Sequence, residues 1–185
     1  MSLLLIEQAQ GSAVSLAEMS QQLKREDTDE DDDYIQSCLD AATDWAQQFT
    51  GLALIEQTWD MFANSFPSSG PLYLGRGLLI SVDESFADGA AFSDYSVDFA
   101  ASAIYLASTS STWPSVTGSS NGIRIRFRVG YVDVTGSPTV GFEIPPLIKS
   151  AIKIYAAHLY GEREAIPTPQ MQEMIRPYRI QDSLA

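Results

Sequence analysis

Three groups of side chains in this chain could do chemistry: a run of acids, one histidine with one cysteine, and a row of arginines. The run "EDTDEDDD", residues 26–33, holds seven acids in eight positions and is the obvious cation candidate. A calcium-loop frame starting at Asp27 puts Asp29, Asp31 and Asp33 at ligand positions 3, 5 and 7. The same frame puts Asp32 where the turn needs glycine and Cys38 where a bidentate glutamate must close the shell, so it fails. An acidic helix N-terminus, favoured by the helix dipole, accounts for the run without a metal.

His158 is the sole histidine and Cys38 the sole cysteine. A catalytic histidine needs a nucleophile and an orienting acid, and nothing in the spacing supplies them. Cys38 falls on an apolar stripe, where a free cysteine behaves as a small hydrophobe. Asp83, Glu84 and Asp88 in "GLLISVDESFADG" are the carboxylates an acid-dependent hydrolase would use, but without partners they read as turn chemistry. No nucleophile elbow, P-loop or dinucleotide fingerprint occurs. The expectation is a protein without catalytic residues, metal or cofactor.

Arg124, Arg126 and Arg128 alternate with Ile123, Ile125, Phe127 and Val129. On a strand the three guanidinium groups share one face, about 6.6–6.8 Å apart. Like charges in such a row need solvent or acids opposite them. Glu56 and Asp60, on one face of an earlier strand, are candidate mates; a surface for docking a partner is the other reading.

Composition bounds what must position these groups. The 185 residues, 45% hydrophobic, suffice for one domain with a sizeable core. A lone cysteine excludes an internal disulfide and fits a reducing compartment. "MSLLLIEQAQ" lacks a basic n-region and reads as a poor signal peptide. No run approaches the roughly 20 apolar residues that span a bilayer, so a soluble intracellular protein is expected. A net charge of −13 argues against gripping nucleic acid through its phosphates. Residues 1–60 carry 13 acids against Lys24 and Arg25, whereas residues 123–181 carry eight bases against five acids. That asymmetry suits internal pairing or the docking of one copy on the next.

The elements follow from periodicity. Ser15 three residues before Glu18 has capping-box spacing, opening a short helix with Leu16, Met19 and Leu23 on one face. Tyr34, Ile35, Cys38, Leu39, Ala42, Trp45, Ala46 and Phe49 make one apolar stripe, predicting a helix over 31–50 closed by Gly51. From residue 52 the period shortens. "ALIEQTWDMFANSF", "PLYL", "GLLISVDESF", "YSVDF", "AIYLA" and "GIRIRFRVGYV" predict about six strands, interrupted at 108–121 by a loop in which nine of fourteen residues are Ser or Thr. Trp113-Pro114 is the candidate anchor of that loop. The helical period returns at Pro145-Pro146, with Leu147, Ile148, Ala151, Ile152, Tyr155, Ala156 and Leu159 as its apolar face. A short last helix stopped at Pro177 and a tail complete the chain. The fold class expected is α+β: a small helical bundle from the N- and C-terminal segments, with an inserted antiparallel β unit. The stripes of 31–50 and 146–160 pack on each other, and each needs the other to leave water.

The order of these pieces resembles the head–tail connector (adaptor) proteins of tailed bacteriophages and prophages, in their long form with a β insertion. The resemblance is carried by "VSLAEMSQQLKREDTDEDDDYIQSCLDAATDWAQQFTGLALIEQTW", "IRIRFRVGYV", "IPPLIKSAIKIYAAHLYGERE" and "IRPYRI", over most of residues 14–180. The Ser/Thr-rich loop and the extra acids at 29–33 depart from the pattern. The resemblance implies a helical connector core of 1–51 and 142–185 and an inserted unit of 52–141. It implies a structural virion protein, assembled in the host bacterial cytoplasm. Its copies would form a ring of about twelve subunits under the portal protein, extending the DNA channel and docking tail or head-completion proteins. Candidate interface residues are Asp29, Asp31, Asp32, Asp33, Arg124, Arg126, Arg128, Arg176, Tyr178 and Arg179. Deleting 177–185 is expected to abolish portal binding and leave the fold intact. No membrane, cofactor or specific nucleic acid is implied. The alternative is a soluble β-type module that binds a ligand or carbohydrate through Trp113 and nearby tyrosines.

Overall fold

The chain is known from a computed structural model that describes residues 1–7, 11–24, 31–99, 101–106, 112–117, 120–131, 143–162 and 164–180. It divides into two compact units, one built on Met1–Ala9 and Glu56–Gly130, the other on Gln10–Ile55 and Tyr131–Gln181.

Capping chemistry starts the helical unit. Ser15 stays extended; its hydroxyl accepts the Glu18 amide at 3.2 Å while the Glu18 carboxylate accepts the Ser15 amide at 3.1 Å. Two free donors of the first turn are thereby satisfied, and α1 runs Leu16–Leu23. α2 is Asp32–Thr50, with Ile35, Cys38, Leu39, Ala42 and Ala46 buried along one stripe. Gly51 ends it at φ 76°, a left-handed conformation that glycine adopts without Cβ penalty, and returns its amide to the Gln47 carbonyl at 2.8 Å. α3 is Pro146–Gly161, burying Ile148, Ala151, Ile152 and Ala156. Leu147, expected on that face, is exposed instead.

The two stripes meet. Trp45 sets its ring edge-on to Tyr155 at 5.2 Å, and Tyr34 lies 5.8 Å from Tyr160. The Tyr34 hydroxyl donates to the Leu159 carbonyl at 3.0 Å, so the start of α2 meets the end of α3. α4, Pro169–Ile175, is capped by the Thr168 hydroxyl and contributes buried Met171 and Ile175; a 3-10 turn at Arg176–Tyr178 follows. Leu52, Ala53, Leu54 and Ile55 leave α2 as a fully buried link. The Tyr131 amide returns to the Leu54 carbonyl at 3.2 Å, closing the excursion where it began.

The β unit holds two antiparallel sheets. β1 (Ser2–Glu7), β2 (Gln57–Ala63), β8 (Ile123–Val129), β4 (Leu79–Ala87) and β5 (Ala90–Ala91) lie in that order in the larger one. β3 (Leu72–Tyr73), β7 (Ala103–Leu106) and β6 (Tyr95–Asp98) form the smaller. β8 sits between β2 and β4, and the alternation read from its sequence is realised: Ile123, Ile125, Phe127 and Val129 are fully buried. β4 turns into β5 through Asp88-Gly89, both at positive φ (48° and 80°), the two-residue hairpin that matches strand twist.

One assignment changes. Residues 1–7, expected within the helical core, pair with β2 from Ser2↔Phe62 to Leu5↔Trp59 and belong to the sheet. A run of four apolar residues has no helical partner stripe, whereas an open sheet edge supplies its whole row of hydrogen bonds.

Candidate functional site

β8 carries the arginine row into a ladder of acids. Arg126 lies opposite Asp60 on β2 and opposite Glu84 on β4. Its Nε and Nη2 donate to the two Asp60 oxygens at 2.7 and 2.8 Å, a bidentate pair. Arg124 Nη2 reaches Glu84 at 2.8 Å, and Nη1 lies 3.6 Å from Asp60. Arg128 binds Glu56 at 2.8 Å, Asp83 at 3.3 Å and the Ser81 hydroxyl at 3.0 Å. Adjacent Asp83 and Glu84 both engage this row because β4 shifts register between Leu79 and Ser81 and again between Val82 and Glu84. The Asp60 hydrogen bonds, chief among the causes, push the Arg126 guanidinium above its ordinary range, and Glu56 does the same for Arg128.

Three arginines against four carboxylates leave this face close to neutral. The salt pairing read from the sequence is realised, with Glu56 and Asp60 as the mates expected. Asp83 and Glu84, the carboxylates considered for hydrolysis, are engaged by Arg128 and Arg124. Asp88 has turn duties: its carboxylate accepts the Thr117 amide at 2.6 Å and the Thr117 hydroxyl at 2.8 Å.

Within the described residues 112–117, Trp113 stacks on Phe66 at 4.8 Å with the planes 2° apart; residues 108–111 and 118–119 of the expected loop lie outside the described residues. Phe66 meets Phe92 edge-on at 5.4 Å, and Phe92 meets Tyr95 at 5.6 Å. Beside this cluster lies an open groove of about 480 Å³ lined by residues 65–70, 112–114 and 116. Its side chains are Ser, Thr, Pro, Val, Phe and Trp, without a carboxylate or amide to orient a sugar hydroxyl. One face of Trp113 is already covered by Phe66.

In the helical unit the acids are a helix start. Asp32 and Asp33 occupy the first turn of α2, and Asp31 accepts the Tyr160 hydroxyl at 2.8 Å. Asp29 lies outside the described residues. Among the described residues no three His, Cys, Asp or Glu side chains are grouped to hold a metal ion. Cys38 is buried, and burial pushes its thiol up, away from reactive thiolate. His158 is exposed near the end of α3. Among the described residues no helix is long and apolar enough to cross a membrane.

The C-terminal candidates are tied to the helices. Arg176 pairs with Glu173 at 2.8 Å, Arg179 lies over the Phe49 ring at 5.8 Å, and the Ile180 amide donates to the Thr50 carbonyl at 2.7 Å. Tyr178 is half-buried, and its neighbour Tyr131 is pushed up by burial foremost. A cut at Pro177 therefore removes a partner of the α2 C-terminus.

No protein-family model and no curated protein matches the sequence. Solved structures do. A chain in the neck of an empty gene transfer agent particle, computed with C6 symmetry, superposes with a TM-score of 0.72 at 17% identity, over 98% of this chain and 96% of that one. A chain in the neck of the native particle, computed with C12 symmetry, gives 0.72 at 19% identity over the same shares. A chain of the native gene transfer agent virion gives 0.70 at 19% identity, again over 98% and 96%. The coverage is end to end, so helical and β units both have counterparts. This chain has the α+β fold of components of the gene transfer agent neck and virion.

Proposed function

We propose that this chain is a structural neck component of a phage or phage-like particle, a head–tail connector whose copies form a ring under the portal. The ring extends the DNA channel and offers a platform to tail or head-completion proteins. The end-to-end fold match to neck chains from particles computed with C6 and C12 symmetry carries the reading. The resemblance of the ordered sequence segments agrees with it.

The chemistry of the chain is consistent. Several of its ionisable side chains serve architecture: the ladder neutralises itself, Asp88 holds a loop, and Asp31 holds Tyr160. A heterologous ring needs two different complementary faces on each subunit. Asp31, Asp32 and Asp33 at one helix end, with Asp29, are candidates for one; Arg176, Tyr178 and Arg179 are candidates for contact with the portal. Twelve copies at −13 would carry roughly 150 negative charges, enough to keep a channel wall from gripping passing DNA.

Electron microscopy of the protein, alone and mixed with the portal protein of its own particle, tests the proposal. Rings coaxial with the portal are expected. A protein that neither binds portal nor forms rings under any mixing ratio would remove the reading.

A further inference from the structure

The least guarded part of the larger sheet is its first strand. β1 pairs with β2 on one side and stands at the end of the strand order, so its other row of N–H and C=O groups meets no strand among the described residues. Proteins blunt such edges with Lys, Pro or a bulge that turns the strand aside. "SLLLIE" has neither Lys nor Pro, and its single register shift falls late, between Leu5 and Glu7. Its side chains are unguarded too: Leu4 is 53% exposed, Leu5 36% and Ile6 40%. Leu4 stands opposite Asp60, on the face of the arginine ladder, where a solvated sheet would carry a polar residue.

We propose that this edge receives a strand of a second copy of the same chain, continuing the sheet from one subunit into the next. The inference rests on the ring reading above and names the joint between subunits. Backbone groups in a row specify an extended partner, which supplies the missing bonds all at once. The ring reading makes that partner a copy, and charge permits one here. Each chain carries −13, so two copies repel except where charge is sparse, and Ser2–Glu7 holds one ionisable side chain in six residues. An edge of one copy meeting a different edge of the next is a heterologous contact, the kind that closes into a ring when its rotation allows.

The test is sedimentation of the full chain over rising concentration, comparing wild type with Leu4→Lys/Ile6→Lys and reading hydrogen exchange of residues 2–7 in the same samples. Lysine on an exposed edge preserves a strand while forbidding its pairing. Leu4→Thr/Ile6→Thr, which keeps β propensity, stands in if the lysine pair melts early. Wild type is expected to rise above its 20.2 kDa in whole multiples. Amide exchange over 2–7 should slow by about tenfold or more on association, while the variant stays a single chain with unchanged melting. A wild type that never associates overturns the proposal. So does association that the variant shares, or that leaves residues 2–7 unprotected. Pairing through β1 that stops at a dimer upholds the joint and removes the ring; rings whose residues 2–7 exchange freely do the reverse.

Discussion

Arg126 and Asp60 face each other across the β2–β8 ladder and exchange two hydrogen bonds, at 2.7 and 2.8 Å, with the carboxylate 4% exposed and the guanidinium 30%. The pair is therefore desolvated on the acid side and half-wet on the base side. It holds the centre of a row in which every arginine has a carboxylate within 3 Å.

Removing the acid should hurt more than removing a flanking base. Asp60→Ala leaves Arg126 without its bidentate partner and is expected to cost about 2–3 kcal/mol, below the full value for a wholly buried pair because Arg126 reaches solvent. Arg124→Ala, whose partner Glu84 is half-exposed, should cost about 0.5 kcal/mol. Urea unfolding of both variants checks the order; equal losses would mean the ladder is screened throughout.

The Trp113–Phe66 stack should be measurable as a coupling. A double-mutant cycle with Trp113→Ala and Phe66→Ala is expected to return about 1 kcal/mol between the two rings. Additive losses would mean that the loop is held by Asp88 and Thr117 alone.

The tail should divide at Ile180. Deleting 177–185 removes the Ile180 bond to Thr50 that deleting 181–185 keeps, and should cost about 1 kcal/mol more than the shorter cut. Portal binding is then best compared between these two truncations. Loss in both places the contact in the last five residues; loss only in the longer deletion places it at Pro177–Ile180 or in the α2 terminus they support.

The capping box carries a pH signature. Burial raises the Glu18 carboxyl, but the Ser15 amide and the charge of Lys149 outweigh it, and the group lies below its ordinary value. A carboxyl depressed in the folded state contributes stability above its unfolded pKa and loses it as pH falls through the folded one. Wild type should therefore lose a small increment below the ordinary carboxylate range that Glu18→Gln does not lose, read as melting temperature against pH. Ser15→Ala should cost about 1 kcal/mol at neutral pH.

Local chemistry made the helices and the central strand legible in advance. Ser15 and Glu18 at capping spacing, Gly51 after the stripe of α2, Pro146 at the head of α3 and the strict alternation of β8 each act within a few residues, so composition and order suffice. Even the pairing of the α2 and α3 stripes followed, since neither can leave water alone. Half of the ladder followed as well: Glu56 and Asp60 share parity on one strand. Tertiary structure decided the rest. Asp83 and Glu84 are consecutive, and alternation alone would send them to opposite faces; only the bulges of β4 explain how both meet arginines. β1 was invisible as a strand because its reason for existing is an edge supplied by β2, more than fifty residues away. Ile180 at Thr50 is likewise a contact across the length of the chain. Periodicity reports which face of an element is apolar, whereas register and edge pairing depend on backbone groups that every residue shares, and so leave no mark in side-chain order.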